Sequence, residues 1–355
     1  MSTQSNFEIA AKGSPGQVAA FESGHPSLLQ RIQHALHVTP SLVPLLVLLL
    51  SVTIFGLVVG SKFFSPFALT LILQQVQIVG ILALAQSLII LTAGIDLSVG
   101  AIAVLCTVIM GKFTFDYGLP PELSLLCGLF AGTVIGAASG FLVSRGKLPP
   151  FIVTLGMWQI VLAVNYLYSA NETIRAQDIE TRAPLLQFMG TKLELGGATF
   201  TFGVIAMLVL ALMLAYALKH TAWGRHVYAV GDDPEAAVLA GVNVHKTLMS
   251  VYMLAGLICA FAAWIMIGRF GSVSPAASTG VLGNIQSITA VVIGGISLFG
   301  GRGSILGALF GALIVGVFEL GLRMAGADAQ WTYLLIGALI IGAVAMDQWI
   351  RKVSV

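Results

Sequence analysis

Acid–base, nucleophilic and metal chemistry each need particular side chains at particular spacings, and this chain offers few. Cys106, Cys127 and Cys259 all lie inside apolar runs. Their number is odd and no metal-ligand spacing surrounds them, so they read as small buried hydrophobes. All six histidines fall outside the long apolar segments. No nucleophile–base pair or His/Asp/Glu cluster stands out, so no catalytic residue and no metal ligand is expected, and the chain does not read as an enzyme. Gly301-x-Gly303 lacks the third glycine and the βαβ context of a dinucleotide fingerprint. No G-x-x-x-x-G-K-[ST] occurs, so no ATP or other cofactor is expected to bind this chain through such a loop.

The most informative polar stretch is His220–Lys246, HTAWGRHVYAVGDDPEAAVLAGVNVHK. Asp232 or Asp233 can cap a helix whose first residue is Pro234. Glu235, Ala236 and Ala237 continue it, with an acid in the first turn to suit the helix dipole. Gly241 can end it in the left-handed conformation. The spacing therefore predicts a short helix over Pro234–Ala240, flanked by turns. Such a helix is either a plain connection between two spans or a docking knob for a soluble partner, and spacing alone does not decide between them.

The elements that must hold this loop are written in the composition. The chain is 57% apolar and 9% charged, where soluble domains carry about 25% charged residues. With a mean hydropathy of +0.97, most of its surface must face lipid. A net charge of +2 gives no support to a nucleic-acid partner. A bilayer core takes about 20 apolar residues per helix. Ten segments come near that: Ser41–Gly60, Phe67–Thr92, Leu97–Gly111, Leu123–Val143, Phe151–Ser169, Phe200–Lys219, Thr247–Gly268, Asn284–Phe299, Ser304–Leu322 and Trp331–Trp349. The third and eighth are short enough to be tilted, broken or re-entrant. The fold class expected is all-α, a polytopic membrane protein with residues 39–355 as the transmembrane domain.

Residues 1–38 are polar, lack the apolar core of a cleaved signal, and read as a cytoplasmic N-terminal tail with a short surface helix at Leu28–His37. With both termini inside, Lys and Arg number ten in inner and seven in outer segments, a modest positive-inside bias. His220–Lys246 is then cytoplasmic, and Ala170–Thr199 is an outer loop long enough for a surface helix. Trp223, Trp331 and Trp349 fall at segment ends, as interface anchors do. Gly132, Gly136 and Gly140 form one small-residue stripe and Gly307 and Gly311 another, the pattern of close helix contact.

Four motifs in order along the chain are similar to one family. Gly224-Arg225-x3-Ala229-x-Gly231-x3-Glu235-Ala236-Ala237-x3-Gly241-Val242-Asn243 resembles the coupling-loop signature of ribose/xylose/galactose-type ABC permeases. Ala93-Gly94-Ile95-Asp96-Leu97-Ser98-Val99-Gly100 resembles that family's motif after the second helix, and Pro149-Pro150-Phe151-Ile152-Val153-Thr154-Leu155-Gly156-Met157 its fifth-helix start. Ala290-Val291-Val292-Ile293-Gly294-Gly295-x-Ser297-Leu298-x-Gly300-Gly301-Arg302-Gly303 resembles its late glycine-rich turn. The resemblance covers Phe67 to the C-terminus. It implies a ten-helix, type II-like importer permease in the bacterial inner membrane, working as a homodimer. Two cytoplasmic ATP-binding subunits would dock inside and a periplasmic sugar-binding protein outside. Asp233–Gly241 becomes the coupling helix, with Arg225 and Glu235 as polar contacts to the ATPase. Gly294, Gly295 and Gly301 become a gating or structural turn.

Two groups of polar residues carry a sharper and a plainer reading. Asp96 and Ser98 suit N-capping of the third helix, ahead of a role in gating. Polar residues inside spans usually face a bundle interior or cavity. The set is Gln74, Gln75, Gln77, Gln86, Thr154, Gln159, Asn165, Asn284, Gln286 and Glu319. A monosaccharide needs hydrogen bonds matched to its hydroxyls and an aromatic face, which Gln77, Gln86, Thr154, Trp158, Asn165 and Asn284 could line along a path. Residue by residue, plain interhelical hydrogen bonding is the stronger reading. Glu319, with Arg323 four residues on, reads as an i,i+4 ion pair near the outer interface. An ion-coupled secondary transporter is the main rival, weakened by the lack of a carboxylate or histidine at midplane. An ABC permease for a non-sugar solute such as a nucleoside is the other.

Overall fold

The computed structural model of the chain describes residues 41–353. The polar tail 1–38, its Leu28–His37 helix and the Trp349 side chain lie outside what is described. Five helices come first: α1 (Leu42–Val59), α2 (Pro66–Leu91), α3 (Val99–Phe115), α4 (Pro121–Ser144) and α5 (Pro150–Ser169). A polar connection follows with α6 (Ala176–Arg182), α7 (Pro184–Gln187) and a hairpin of β1 (Lys192–Leu195) and β2 (Ala198–Thr201). Then come α8 (Phe202–His220), α9 (Ala222–Asp232), α10 (Pro234–Leu239), α11 (Val244–Phe270), α12 (Ala277–Ile293), α13 (Ile305–Met324) and α14 (Ala329–Val353). Among the described residues seven helices are long and apolar enough to cross a membrane: α1 with the turn after it, α2, α4, α5, α8, α11 and α13. Three shorter apolar helices, Val99–Phe115, Ser278–Ile293 and Gln330–Ala345, accompany them.

Local chemistry sets the ends. Proline occupies the first turn of α2, α4 and α5, where its missing N–H costs nothing. Ser65 and Ser304 cap α2 and α13 by accepting from Ala68 N and Gly307 N. The eighth apolar segment is shifted from its expected Asn284–Phe299 to Ala277–Ile293. Positive φ angles at Gly295, Gly300, Gly301 and Gly303 forbid a helix beyond Ile293.

The core runs along α2 and α11, whose buried residues include Ile81–Leu91, Ala262, Ala263, Ile265, Met266 and Ile267. The expected glycine stripes are where helices meet. A Cβ on Gly136 or Gly256 would strike the carbonyl oxygen of Tyr252 or Gly132, so α4 and α11 touch backbone to backbone. A Cβ on Gly311 would strike the Ala290 carbonyl, which joins α13 to α12 in the same way.

Two expectations are corrected. The chain is not purely α, because the outer loop closes with an antiparallel hairpin pairing Lys192 with Thr201 and Leu195 with Ala198. Gly196 and Gly197, both at positive φ, supply its two-residue turn. The stretch before α10 is not a turn but the helix α9, with Gly224, Val227, Val230 and Gly231 buried. These positions recur at three- and four-residue intervals, the period of an amphipathic helix.

Candidate functional site

At the end of the bundle that bears α9 and α10, all four motifs come together. The chain leaves α2 through Ala93, at φ 58°, and runs without regular structure until α3 starts at Val99. Five backbone groups of this stretch and the first turn of α3 are held by side chains from the surrounding helices. The Gln86 amide, oriented to satisfy both neighbours, donates to Asp96 O at 3.0 Å and accepts from Asp96 N at 3.2 Å. Thr154 Oγ1 of α5 donates to Ile95 O at 2.9 Å. Asn284 of α12 donates through Nδ2 to Leu97 O and accepts from Gly100 N at 2.6 Å through Oδ1.

Capping of α3 is therefore divided differently from the expectation. Asp96 Oδ1 accepts from Ser98 N at 2.6 Å and Ser98 Oγ at 2.5 Å, a local turn just ahead of the helix. Ser98 makes no side-chain cap bond. The first-turn amide of Gly100 is satisfied by Asn284, which reaches it from another helix and so supplies what a cap supplies.

The glycine-rich turn seats on the same place. Gly301 N donates to Leu91 O at 3.0 Å, and Ser297 N to Arg302 O at 3.0 Å. Gly231 of α9 lies so close that a Cβ would strike Leu91 O and Gly301 N. Tyr228 donates its hydroxyl to Gly303 O at 3.0 Å, and burial pushes this phenol above its usual pKa, so it stays a donor at neutral pH. Trp223 Nε1 donates to Ser250 Oγ at 2.8 Å, tying α9 to α11. Thus α9 is bolted to the ends of α2, α11 and the turn after α12.

Upon this base stands α10. Asp233 Oδ1 accepts from Glu235 N at 2.9 Å and Ala236 N at 3.0 Å. Gly241, at φ 82°, closes the helix while Val242 N donates to Ala237 O at 2.9 Å. Ala237 is the residue turned inward. Asp233, Pro234, Glu235 and Ala236 are exposed, and so is Arg225 on α9. Val238 and Leu239 are 59% and 89% exposed, an apolar tip on an otherwise polar loop.

The residues expected along a translocation path are spread through the bundle. Gln86, Thr154 and Asn284 clamp the Asp96 segment, as above. Gln77 accepts from Thr201 Oγ1 at 2.6 Å and so pins the hairpin to α2 at the opposite end of the bundle. Asn165 Nδ2 donates to Pro275 O at 2.8 Å. Trp158 borders a void of about 10 Å³ with Asn165, Ala101 and Gly280, at the lower limit for a single water. All five polar members are buried, at 5% exposure or less. In this structure they hydrogen-bond elements together. Among the described residues no group of three or more His, Cys, Asp or Glu could hold a metal ion.

A bundle of long apolar helices with one capped, exposed helix seated at its end defines a multi-pass membrane protein. Residues 68–344 match the family described as branched-chain amino acid transport system / permease component, and the chain belongs to it. It is therefore an inner-membrane permease component. It is 66% identical over 348 residues to the fructose import permease protein FrcC of Rhizobium meliloti, covering 98% of this chain and 96% of that one. It is 35% identical to the ribose import permease protein RbsC of Escherichia coli K12, covering 86% and 92%. It is 32% identical to the galactose/methyl galactoside import permease protein MglC of the same strain, covering 85% and 91%. No solved structure matches.

Proposed function

We propose that this chain is the membrane-spanning subunit of a bacterial ABC-type importer for a monosaccharide, fructose foremost. Three sugar permeases at 32–66% identity over most of the chain support the cargo class, and 66% identity to a fructose permease supports the particular sugar. In this reading α3, α12 and α14 cross the membrane with the seven longer helices, giving a ten-helix, type II-like permease with both termini in the cytoplasm. It works as a homodimer, takes sugar from a periplasmic binding protein and is driven by two cytoplasmic ATP-binding subunits.

The observation that carries the reading is α10. A helix of six residues cannot hold itself in water, yet this one is capped at both ends, seated on α9 and tipped with exposed Val238 and Leu239. We read it as the coupling helix, with Glu235 and Arg225 flanking its apolar tip against a groove in the ATPase. ATP-driven closure of the two ATPase subunits then pushes α10, and α9 passes the motion to the junction of α2, α3 and the glycine-rich turn. This junction is the gate in our reading, with Asp96, Ser98, Gly294, Gly295 and Gly301 as its parts.

Glu235→Arg should uncouple transport while leaving the fold intact, because Glu235 is exposed and only its backbone N–H is used in the cap. Uptake by the assembled transporter is expected to fall at least several-fold with the melting temperature unchanged. Wild-type uptake in this variant would refute the docking role. The family description, which prints amino acids, favours a non-sugar cargo as the second reading, and a panel of sugars and branched-chain amino acids tested on the cognate binding protein separates the two.

A further inference from the structure

Glu319 is more than half of an ion pair. Its Oε1 accepts from Arg323 Nη2 at 3.1 Å, the expected i,i+4 contact. Its Oε2 accepts from two amides on other helices: Gln75 Nε2 of α2 at 3.1 Å and Gln286 Nε2 of α12 at 3.2 Å. Gln75 and Gln286 also face each other, at 3.4 Å. A carboxylate in an otherwise apolar helix thus draws together α2, α12 and α13. Acids within membrane-spanning helices are expensive and typically mark a pathway. Stability of the helix contact alone does not require one, since interhelical hydrogen bonds contribute only about 0.6 kcal/mol each.

Next to this cluster lies a cavity of about 240 Å³ between α12, α13 and α14. Its polar lining is Gln286, Thr289, Glu319, Arg323, Thr332 and Tyr333. The volume is just under the range of about 300–1,000 Å³ for drug-sized ligands, the scale of a small solute. The chemistry is that of a polyol site. Each sugar hydroxyl both donates and accepts. Glu319 offers one acceptor site beyond the three contacts it makes, and Arg323 offers N–H donors beyond the one bonded to Glu319. Thr289 donates its own proton to Ile285 O at 2.7 Å, leaving its oxygen as an acceptor. Tyr333 adds an aromatic face. The cavity lies toward the hairpin end of the bundle, opposite α10, where cargo arrives from a periplasmic donor in the reading above.

We propose that this cavity is a binding station for the incoming monosaccharide, with Glu319 accepting hydrogen bonds from its hydroxyls and Gln75 and Gln286 positioning the carboxylate. The proposal rests on the sugar-import reading. It places the cargo between α12, α13 and α14 and away from Trp158 and Asn165.

The test uses the complete transporter, with its ATPase subunits and binding protein, in vesicles. Ala327, at the cavity wall and without a polar role, is changed to cysteine in a chain carrying Cys106→Ala, Cys127→Ala and Cys259→Ala. Its modification by a small water-soluble thiol reagent is timed with and without fructose, ribose or galactose. The transported sugar should slow labelling several-fold, and Glu319→Gln should abolish that protection while leaving sugar-free labelling unchanged. Glu319→Gln should also cut uptake roughly ten- to hundred-fold, the range for losing a hydrogen bond to a charged group. Transport of a sugar without protection at Ala327→Cys, or wild-type uptake in both Glu319→Gln and Glu319→Ala, would overturn the site and leave the import reading standing. Wild-type complex that takes up none of the sugars would overturn the import reading itself.

Discussion

Asn284 shows how single residues decide the local structure. One amide satisfies the Leu97 carbonyl, in a segment that no helix or sheet supports, and the first-turn N–H of Gly100 in α3. Removing it in Asn284→Ala leaves one buried and one partly buried backbone group without that partner, at about 1–3 kcal/mol for each group left unsatisfied. The purified protein should melt several degrees lower, and Asn284→Asp, which keeps the acceptor for Gly100, should lie between alanine and wild type. An unchanged melting curve for the alanine variant would contradict the clamp. The residue types were legible in the sequence, since Gln86, Thr154 and Asn284 stand out as polar groups in apolar runs. Their partners were not. Those partners are backbone groups 59 to 187 residues away or, for Gln86, ten residues on across a break in the chain, and periodicity carries no information about such pairs.

At the scale of elements, helices were legible where local chemistry alone makes them. Pro234 behind Asp233 and Gly241 after Ala240 specify α10 with no help from the rest of the molecule, and all ten apolar segments contain a helix. The helix α9 was hidden by its glycines. Gly224 and Gly231 read locally as turn formers, yet both are helical and buried because the helix must approach other backbone. The three- and four-residue spacing of Gly224, Val227, Val230 and Gly231 was the available signal. The outer hairpin was hidden for the opposite reason, since its four-residue strands are too short for a pattern. Gly231→Ala tests the contact that joins α9 to the bundle. Its methyl group would meet Leu91 O, so overpacking of about 1–3 kcal/mol is expected. ATPase activity in the assembled complex should lose its dependence on the sugar-loaded binding protein before the fold is lost. A variant with normal stability and normal stimulation would show that α9 does not seat as described.

On the scale of the whole molecule, the chain divides its labour between two ends. One end carries the capped helix α10, the rigid α9 and the clamped Asp96 segment. The other carries the hairpin, pinned by Gln77 and Thr201, and the cavity beside Glu319. Between them, close glycine contacts join α4 to α11 and α12 to α13 backbone to backbone. The sequence holds no G-x-x-x-x-G-K-[ST] loop, and Glu319, the acid of α13, is paired with Arg323. The central claim is therefore that transport needs an engine bound at α10. Purified chain in sealed vesicles, with the sugar-loaded binding protein on one side, should accumulate radiolabelled fructose only when the ATP-binding subunits and ATP are supplied. Accumulation in vesicles that contain no nucleotide hydrolase, with or without an ion gradient, would contradict the account.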